Sequence, residues 1–153
     1  MTDLSFQVRE GTASQLQILN HLLDCDARFK PPLSERVAIP DYAMKIHQQA
    51  HRFEMWRDTE LVGLVAAYFD EIKKRAFITN VSVAAPLLGR GIASKLIAHT
   101  IDRAMTSSLD RVCLQVDASN VHARNLYEKH GFRTLAHESG SVLMELDLRE
   151  GYL

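Results

Sequence analysis

The chain has 153 residues, 46% of them hydrophobic, which is enough for one core and predicts a single domain spanning residues 1–153. Its 18 basic and 19 acidic side chains leave a formal charge of −1, so there is no basic field for nonspecific nucleic-acid binding. No apolar run approaches the roughly 18 residues of a membrane span, Met1–Ser5 lacks the basic start and apolar stretch of a signal peptide, and a cytoplasmic protein is expected.

Phe6 to Arg9 alternates like a short first strand, and Ser14 is placed to cap a helix whose buried face would include Leu16, Leu19, Leu22 and Leu23. Cys25, like the distant Cys113, has no C-x-x-C partner and reads as a reduced thiol. Arg28 to Pro40 is irregular and bracketed by prolines, after which Asp41 is predicted to open a second helix. From His51 the pattern becomes sheet-like, with Phe53 and Met55 on one face and Glu54 and Trp56 on the other. Asp58 to Glu60 then turns the chain into Leu61–Phe69, apolar enough for a central strand covered on both faces. Asp70 to Arg75 is a charged hairpin connection, and Ala76 to Val83 is a further strand that Pro86 forbids to continue.

Leu87-Leu88-Gly89-Arg90-Gly91-Ile92-Ala93-Ser94 joins that strand to a helix marked by Ala93, Leu96, Ile97, Ile101, Ala104 and Met105. Glycines at such a turn permit positive φ and close approach, so the unpaired N–H groups of the first helical turn can converge on a phosphate. Val112, Leu114 and Val116 alternate as a fifth strand. Asp117 to Phe132 reads as a capped short helix ending near Gly131, and Phe132–Ala136 and Val142–Leu148 read as two closing strands joined around Gly140. The seven histidines follow no metal-ligand spacing, so no metal site is expected. The third glycine of a dinucleotide fingerprint is replaced by Ser94, and no G-K-[ST] follows the glycines as an NTPase loop requires.

Leu88 through Ala93 resembles the pyrophosphate loop [Q/R]-x-x-G-x-[G/A] of the GNAT superfamily of acyl-CoA-dependent N-acetyltransferases. Asn120, Ala123, Leu126, Tyr127, Gly131 and Phe132 match that family's N-x-x-A-x-x-L-Y-x-x-x-G-F element. Leu88 departs from the usual Gln or Arg, and Arg90 either supplies the missing charge or is a solvated loop residue. The resemblance implies an α/β fold with a mixed, mostly antiparallel sheet of six or seven strands and about four helices. It also implies transfer of an acetyl group from acetyl-CoA to a small-molecule amine, such as an amino sugar, by direct attack in a ternary complex. A nonenzymatic acyl-CoA-binding module and a protein or peptide N-acetyltransferase are the alternatives, and a homodimer is compatible with all three.

Carried over residue by residue, the resemblance gives main-chain hydrogen bonds from Val81, Ser82 and Val83 to the pantetheine arm. It places the diphosphate on Leu88, Gly89, Arg90, Gly91, Ile92, Ala93 and Ser94. Tyr127 takes the place of the tyrosine that protonates the departing CoA thiolate, while Asn120 and Arg124 lie near it on the same helix. The strand position where the family often carries an acidic base holds Thr79 and Asn80, so Asp117 is the first substitute, with Glu54 and Asp70 further candidates. A weakly basic amine, neutral near pH 7, would need such a base least. The long stretch after the first helix lies where the family builds its acceptor pocket.

Overall fold

Residues 61–67 are buried without a break because helices cover the strand that carries them on both faces. The computed structural model describes residues 6–149, so the reading of Met1–Ser5 lies outside the described residues. One seven-stranded sheet runs in the order β1(Phe6–Glu10), β2(His51–Arg57), β3(Glu60–Asp70), β4(Arg75–Val83), β5(Arg111–Asp117), β7(Ser141–Asp147), β6(Arg133–Glu138). Every neighbouring pair is antiparallel except β4 and β5, which run parallel. The helices are α1(Gln15–Cys25), α2(Ile39–Gln49), α3(Ile92–Thr106) and α4(Val121–Lys129). No helix among the described residues is long and apolar enough to cross a membrane.

Alternation along β3 divides the core. Val65 and Ala67 join Leu96 and Ile97 of α3 and Tyr127 of α4 on one face, while Leu64 and Ala66 meet Ile18 and Leu22 of α1 and Ile46 of α2 on the other. Ile18, Leu22 and Ile46 are wholly buried, and each such side chain contributes about 1.5–3 kcal/mol. Gly63 on β3 makes room for α3: a Cβ there would lie 2.7 Å from Cγ2 of Ile92 and 3.3 Å from Cδ1 of Leu96. Close packing of strand and helix at this point requires the missing side chain.

Two helices differ from the expectation. Ser14 and Gln17 close a capping box on α1, but the buried stripe is Ile18, His21, Leu22 and Cys25, whereas Leu16 and Leu23 stay more than half exposed. The stripe keeps helical spacing and is rotated so that a histidine and a cysteine, rather than two leucines, face the sheet. The second helix begins at Ile39, with Pro40 in its first turn and Asp41 one residue further in. Proline's preset φ suits that position, and the Asp41 carboxylate faces the positive end of the helix. The irregular stretch before it contains short 3-10 turns at Asp26–Arg28 and Leu33–Glu35.

Glu54 is corrected from a candidate base to a structural anchor. Its carboxylate is fully buried and accepts from the N–H and hydroxyl of Thr12, the N–H of Ala13, Nε1 of Trp56 and Nε of Arg52. Arg52 in turn donates to the carbonyls of His47 and Ala13, so one buried ion pair ties β2 to the entry of α1 and the exit of α2. A carboxylate so saturated has no lone pair left for an incoming ammonium proton. Asp70 is likewise corrected: it accepts from the N–H groups of Ile72 and Lys73 in the exposed β3–β4 turn, and these bonds hold its carboxyl below the ordinary value. Glu54→Ala should strand the Arg52 charge and lower stability by about 3–5 kcal/mol, read as a fall in the urea midpoint at pH 7.

Candidate active site between the diverging strands

Parallel pairing of β4 with β5 runs from Arg75 opposite Arg111 to Ile78 opposite Leu114 and stops there, although β4 continues to Val83 and β5 to Asp117. The divergence starts at a bulge. Ala66 pairs with Asn80 and Ala67 with Ile78, which leaves Thr79 as the extra residue on β4. Tyr42 of α2 fixes the bulge by donating its hydroxyl to the Thr79 carbonyl at 2.7 Å, with Thr79 Oγ1 2.8 Å away. A cavity of about 390 Å³ fills the gap, lined by Thr79 to Val83 of β4, Gln115 to Asp117 of β5, and Tyr127 of α4 among others.

At one end of this cavity lie Leu88 and Ala93, beside the N-terminus of α3. Gly89 and Gly91 have φ of +83° and +76°, and Gly91 is the N-cap. Lys95 is the first residue of the turn to bond back, to the Gly91 carbonyl, and among the described residues the N–H groups of Gly89 to Ser94 have no hydrogen-bond acceptor. Six unsatisfied donors at the positive end of a 15-residue helix form an anion cradle. The Ile92 side chain points into the core, so only its N–H is available. Ser94 Oγ lies 2.9 Å from His130 Nε2 and links the cradle to the C-terminus of α4. Arg90 is exposed and does not line the cavity, while the exposed Leu88 side chain does.

Asn120 caps α4 by accepting from the Ala123 N–H, and Arg124 donates to the Ala118 carbonyl, bracing the loop outside the cavity. Tyr127 is buried, packs edge-on against Phe132 with ring centroids 6.0 Å apart, and lines the cavity. Burial pushes its phenol up to about 12. Asp117 lines the cavity too, but the hydroxyl and N–H of Ser119 both donate to its Oδ1 and, with the charge of Lys30, hold the half-buried carboxyl below the usual range. That weakens it as a base, and its visible work is to shape the loop before α4.

Sequence reasoning missed the α1 side of the opening. Nε2 of the buried His21 lies 2.8 Å from Ser82 Oγ, and Ser82 donates to Asn80 Oδ1 at 2.8 Å, a buried chain running from α1 to the cavity wall. Burial lowers the His21 pKa to about 4, outweighing the opposing charge of Asp24, so the ring is neutral. Cys25 also lines the cavity, and burial raises its thiol. Arg28 donates to the Val83 carbonyl and the Cys25 sulfur. The separation of His21 from Ser82 by 61 positions explains why no local pattern announced the chain.

A statistical model of the acetyltransferase (GNAT) family matches residues 16–132, about three-quarters of the chain. The chain belongs to the acetyltransferase (GNAT) family. Among relatives, N-alpha-acetyltransferase 30 of Saccharomyces cerevisiae is 31% identical over 74 residues, covering 46% of this chain and 42% of that protein. The N-acetylaspartate synthetase of Rattus norvegicus is 35% identical over 95 residues, covering 61% of this chain and 32% of that one. The match therefore spans less than half the length of either relative. The GNAT fold is shared with the ribosomal-protein-S18-alanine N-acetyltransferase of Escherichia coli, at 17% identity and a TM-score of 0.75, covering 94% of both chains. A Bacillus subtilis acetyltransferase crystallised with CoA superposes with a TM-score of 0.72 at 20% identity, over 94% of this chain and 99% of that one.

Two predictions test this geometry. Gly91 has open space around its Cα, so its constraint is the positive φ alone, which asparagine tolerates and β-branched residues do not. Gly91→Val should abolish calorimetric binding of acetyl-CoA while Gly91→Asn retains it. His21 is depressed from 6.5 to about 4, so the unfolded chain binds the extra proton first. Its stabilising contribution, about 3 kcal/mol at most, is complete above pH 6.5 and gone by about pH 4. Urea midpoints of wild type should fall as pH drops through that window, and His21→Gln should flatten the fall.

Proposed function

We propose that this protein transfers the acetyl group of acetyl-CoA to the amine of a small-molecule acceptor, by direct attack in a ternary complex. The observation that carries the reading is the gap between β4 and β5, with an unsatisfied N–H cradle at one end and the Tyr127 phenol in its wall. The diphosphate belongs on the N–H groups of Leu88 to Ser94. The pantetheine arm belongs along Val81, Ser82 and Val83, with Asn120 and Ala123 across the gap. Amide N–H groups beside the bulge polarise the thioester carbonyl and stabilise the oxyanion formed on attack, an effect worth about 3 kcal/mol for a well-placed donor.

Tyr127 is the assigned partner of the departing sulfur. A phenol near 12 stays protonated at neutral pH, yet giving its proton completely to a thiolate whose conjugate acid is near about 8.5 runs uphill. Its role is therefore a hydrogen bond that stabilises charge as it develops on sulfur, rather than full proton transfer. Cys25 supports direct attack over an acyl-enzyme, because a thiol raised by burial is a poor nucleophile. With Asp117 engaged by Ser119, a weakly basic amine such as an amino sugar suits the site best. Likeness to an N-alpha-acetyltransferase favours a peptide N-terminus as the second reading.

Acetyl-CoA should protect the protein against heat and NADH should not, since only a ligand of the folded state shifts the transition. Tyr127→Phe should bind acetyl-CoA with unchanged calorimetric affinity and lower the single-turnover rate of acetyl transfer by about ten- to a hundredfold. A rate equal to wild type between about pH 6 and 9 would make Tyr127 a packing residue.

A further inference from the structure

Three cations line the α1–α2 side of the cavity, Arg28, Lys30 and Arg36, and none has a carboxylate within ion-pair distance. Some arginines elsewhere are paired, Arg52 with Glu54, Arg57 with Glu60, Arg103 with Glu10 and Arg111 with Glu145, while Arg9, Arg75, Arg90 and Arg124 stand singly, so what distinguishes Arg28, Lys30 and Arg36 is that they share one cavity. Among the described residues Lys30 and Arg36 have neither a hydrogen bond nor an ion pair, and Arg28 spends its donors on a neutral carbonyl and a thiol. Asp117, the one carboxylate in the lining, is bonded to Ser119 and also feels the charge of Lys30, so it offsets one of the three cations. In a chain of net charge −1, three cations facing a single carboxylate around one concavity leave a local excess of positive charge.

The cofactor's phosphates already have a cradle at the N-terminus of α3, on the opposite face of the sheet from α1 and α2. Arg36 lies near the other end of the cavity, where its charge acts on Tyr42, the residue that holds the Thr79 bulge. Thr79 and Asn80 mark the end where the parallel strands part, and the thioester would be expected there.

We infer that the acceptor is an amine carrying an oxyanion, a phosphate or a carboxylate, which Arg36 and Lys30 bind while the amine faces the thioester. This rests on the transferase reading above and narrows its acceptor. A guanidinium fork is suited to such a group, and a solvated lysine adds charge without fixing geometry.

Matched acceptors test it: glucosamine against glucosamine 6-phosphate, and β-alaninamide against β-alanine. Each is titrated calorimetrically into the CoA-bound protein and assayed for CoA release from acetyl-CoA. The anionic member of at least one pair should bind at least tenfold more tightly and react with a correspondingly higher kcat/KM. In the Arg36→Gln and Lys30→Gln variants that ratio should fall toward one, with acetyl-CoA affinity unchanged. Equal binding within both pairs would overturn the inference, as would variants that lose acetyl-CoA affinity while keeping the ratio, since the anion would then be the cofactor's. Tight binding of the anionic member without CoA release would instead remove the transferase reading and leave the anion preference standing.

Discussion

Everything at the candidate site depends on β4 and β5 ceasing to pair after Ile78 and Leu114. Two parallel strands in the middle of a sheet normally satisfy each other's main chain along their whole length, because a buried unpaired N–H or C=O costs free energy. Here the extra residue at Thr79 turns the strand away, and the exposed main chain is only partly re-satisfied by side chains from the helices. Tyr42 takes the Thr79 carbonyl and Arg28 the Val83 carbonyl. The sheet thus leaves main-chain donors and acceptors facing the gap between β4 and β5.

The elements around that gap divide the work by layer. On one face α3 and α4 converge on the open N–H groups and the phenol, held together through Ser94 and His130. On the other, α1 and α2 seal the gap with Tyr42 and with the His21–Ser82–Asn80 chain. A neutral buried histidine bonded to serine stabilises the wall without burying a charge there. The Glu54–Arg52 pair performs a similar task farther out, fixing where α1 begins and therefore which residues reach Ser82.

How much of this was legible in the sequence follows from the range of the interactions. Gly91 in the left-handed region, Asn120 as a cap and the strand break at Pro86 are decided by neighbours a few positions away, and each was readable. The mixed sheet was legible only through the family resemblance, whereas the central place of β3 was readable from its apolar run. The inward face of α1 was not, because His21 and Cys25 are buried by partners 61 and 58 positions away, while leucines on the same helix remain in water. Glu54 was misread for the same reason: its ligands at Thr12 and Ala13 lie about forty positions upstream. The cationic wall was equally hidden, since scattered Arg28, Lys30 and Arg36 become a group only when the strands open beside them.

Gly63 gives these parts unequal freedom to diverge. It lies within β3, away from the reacting atoms, yet any side chain there would displace Ile92 and with it the first turn of α3. The α1–α2 side of the cavity is built differently: between α1 and α2, Leu33 is the one residue wholly withdrawn from solvent before the second helix begins at Ile39, and the cations are exposed. Substitutions along that segment can re-shape what the mouth admits at little cost to the core, whereas drift at position 63 would disturb the cradle in one step. A fold arranged in this way can vary one wall of its cavity over evolutionary time while the wall built on α3 stays fixed.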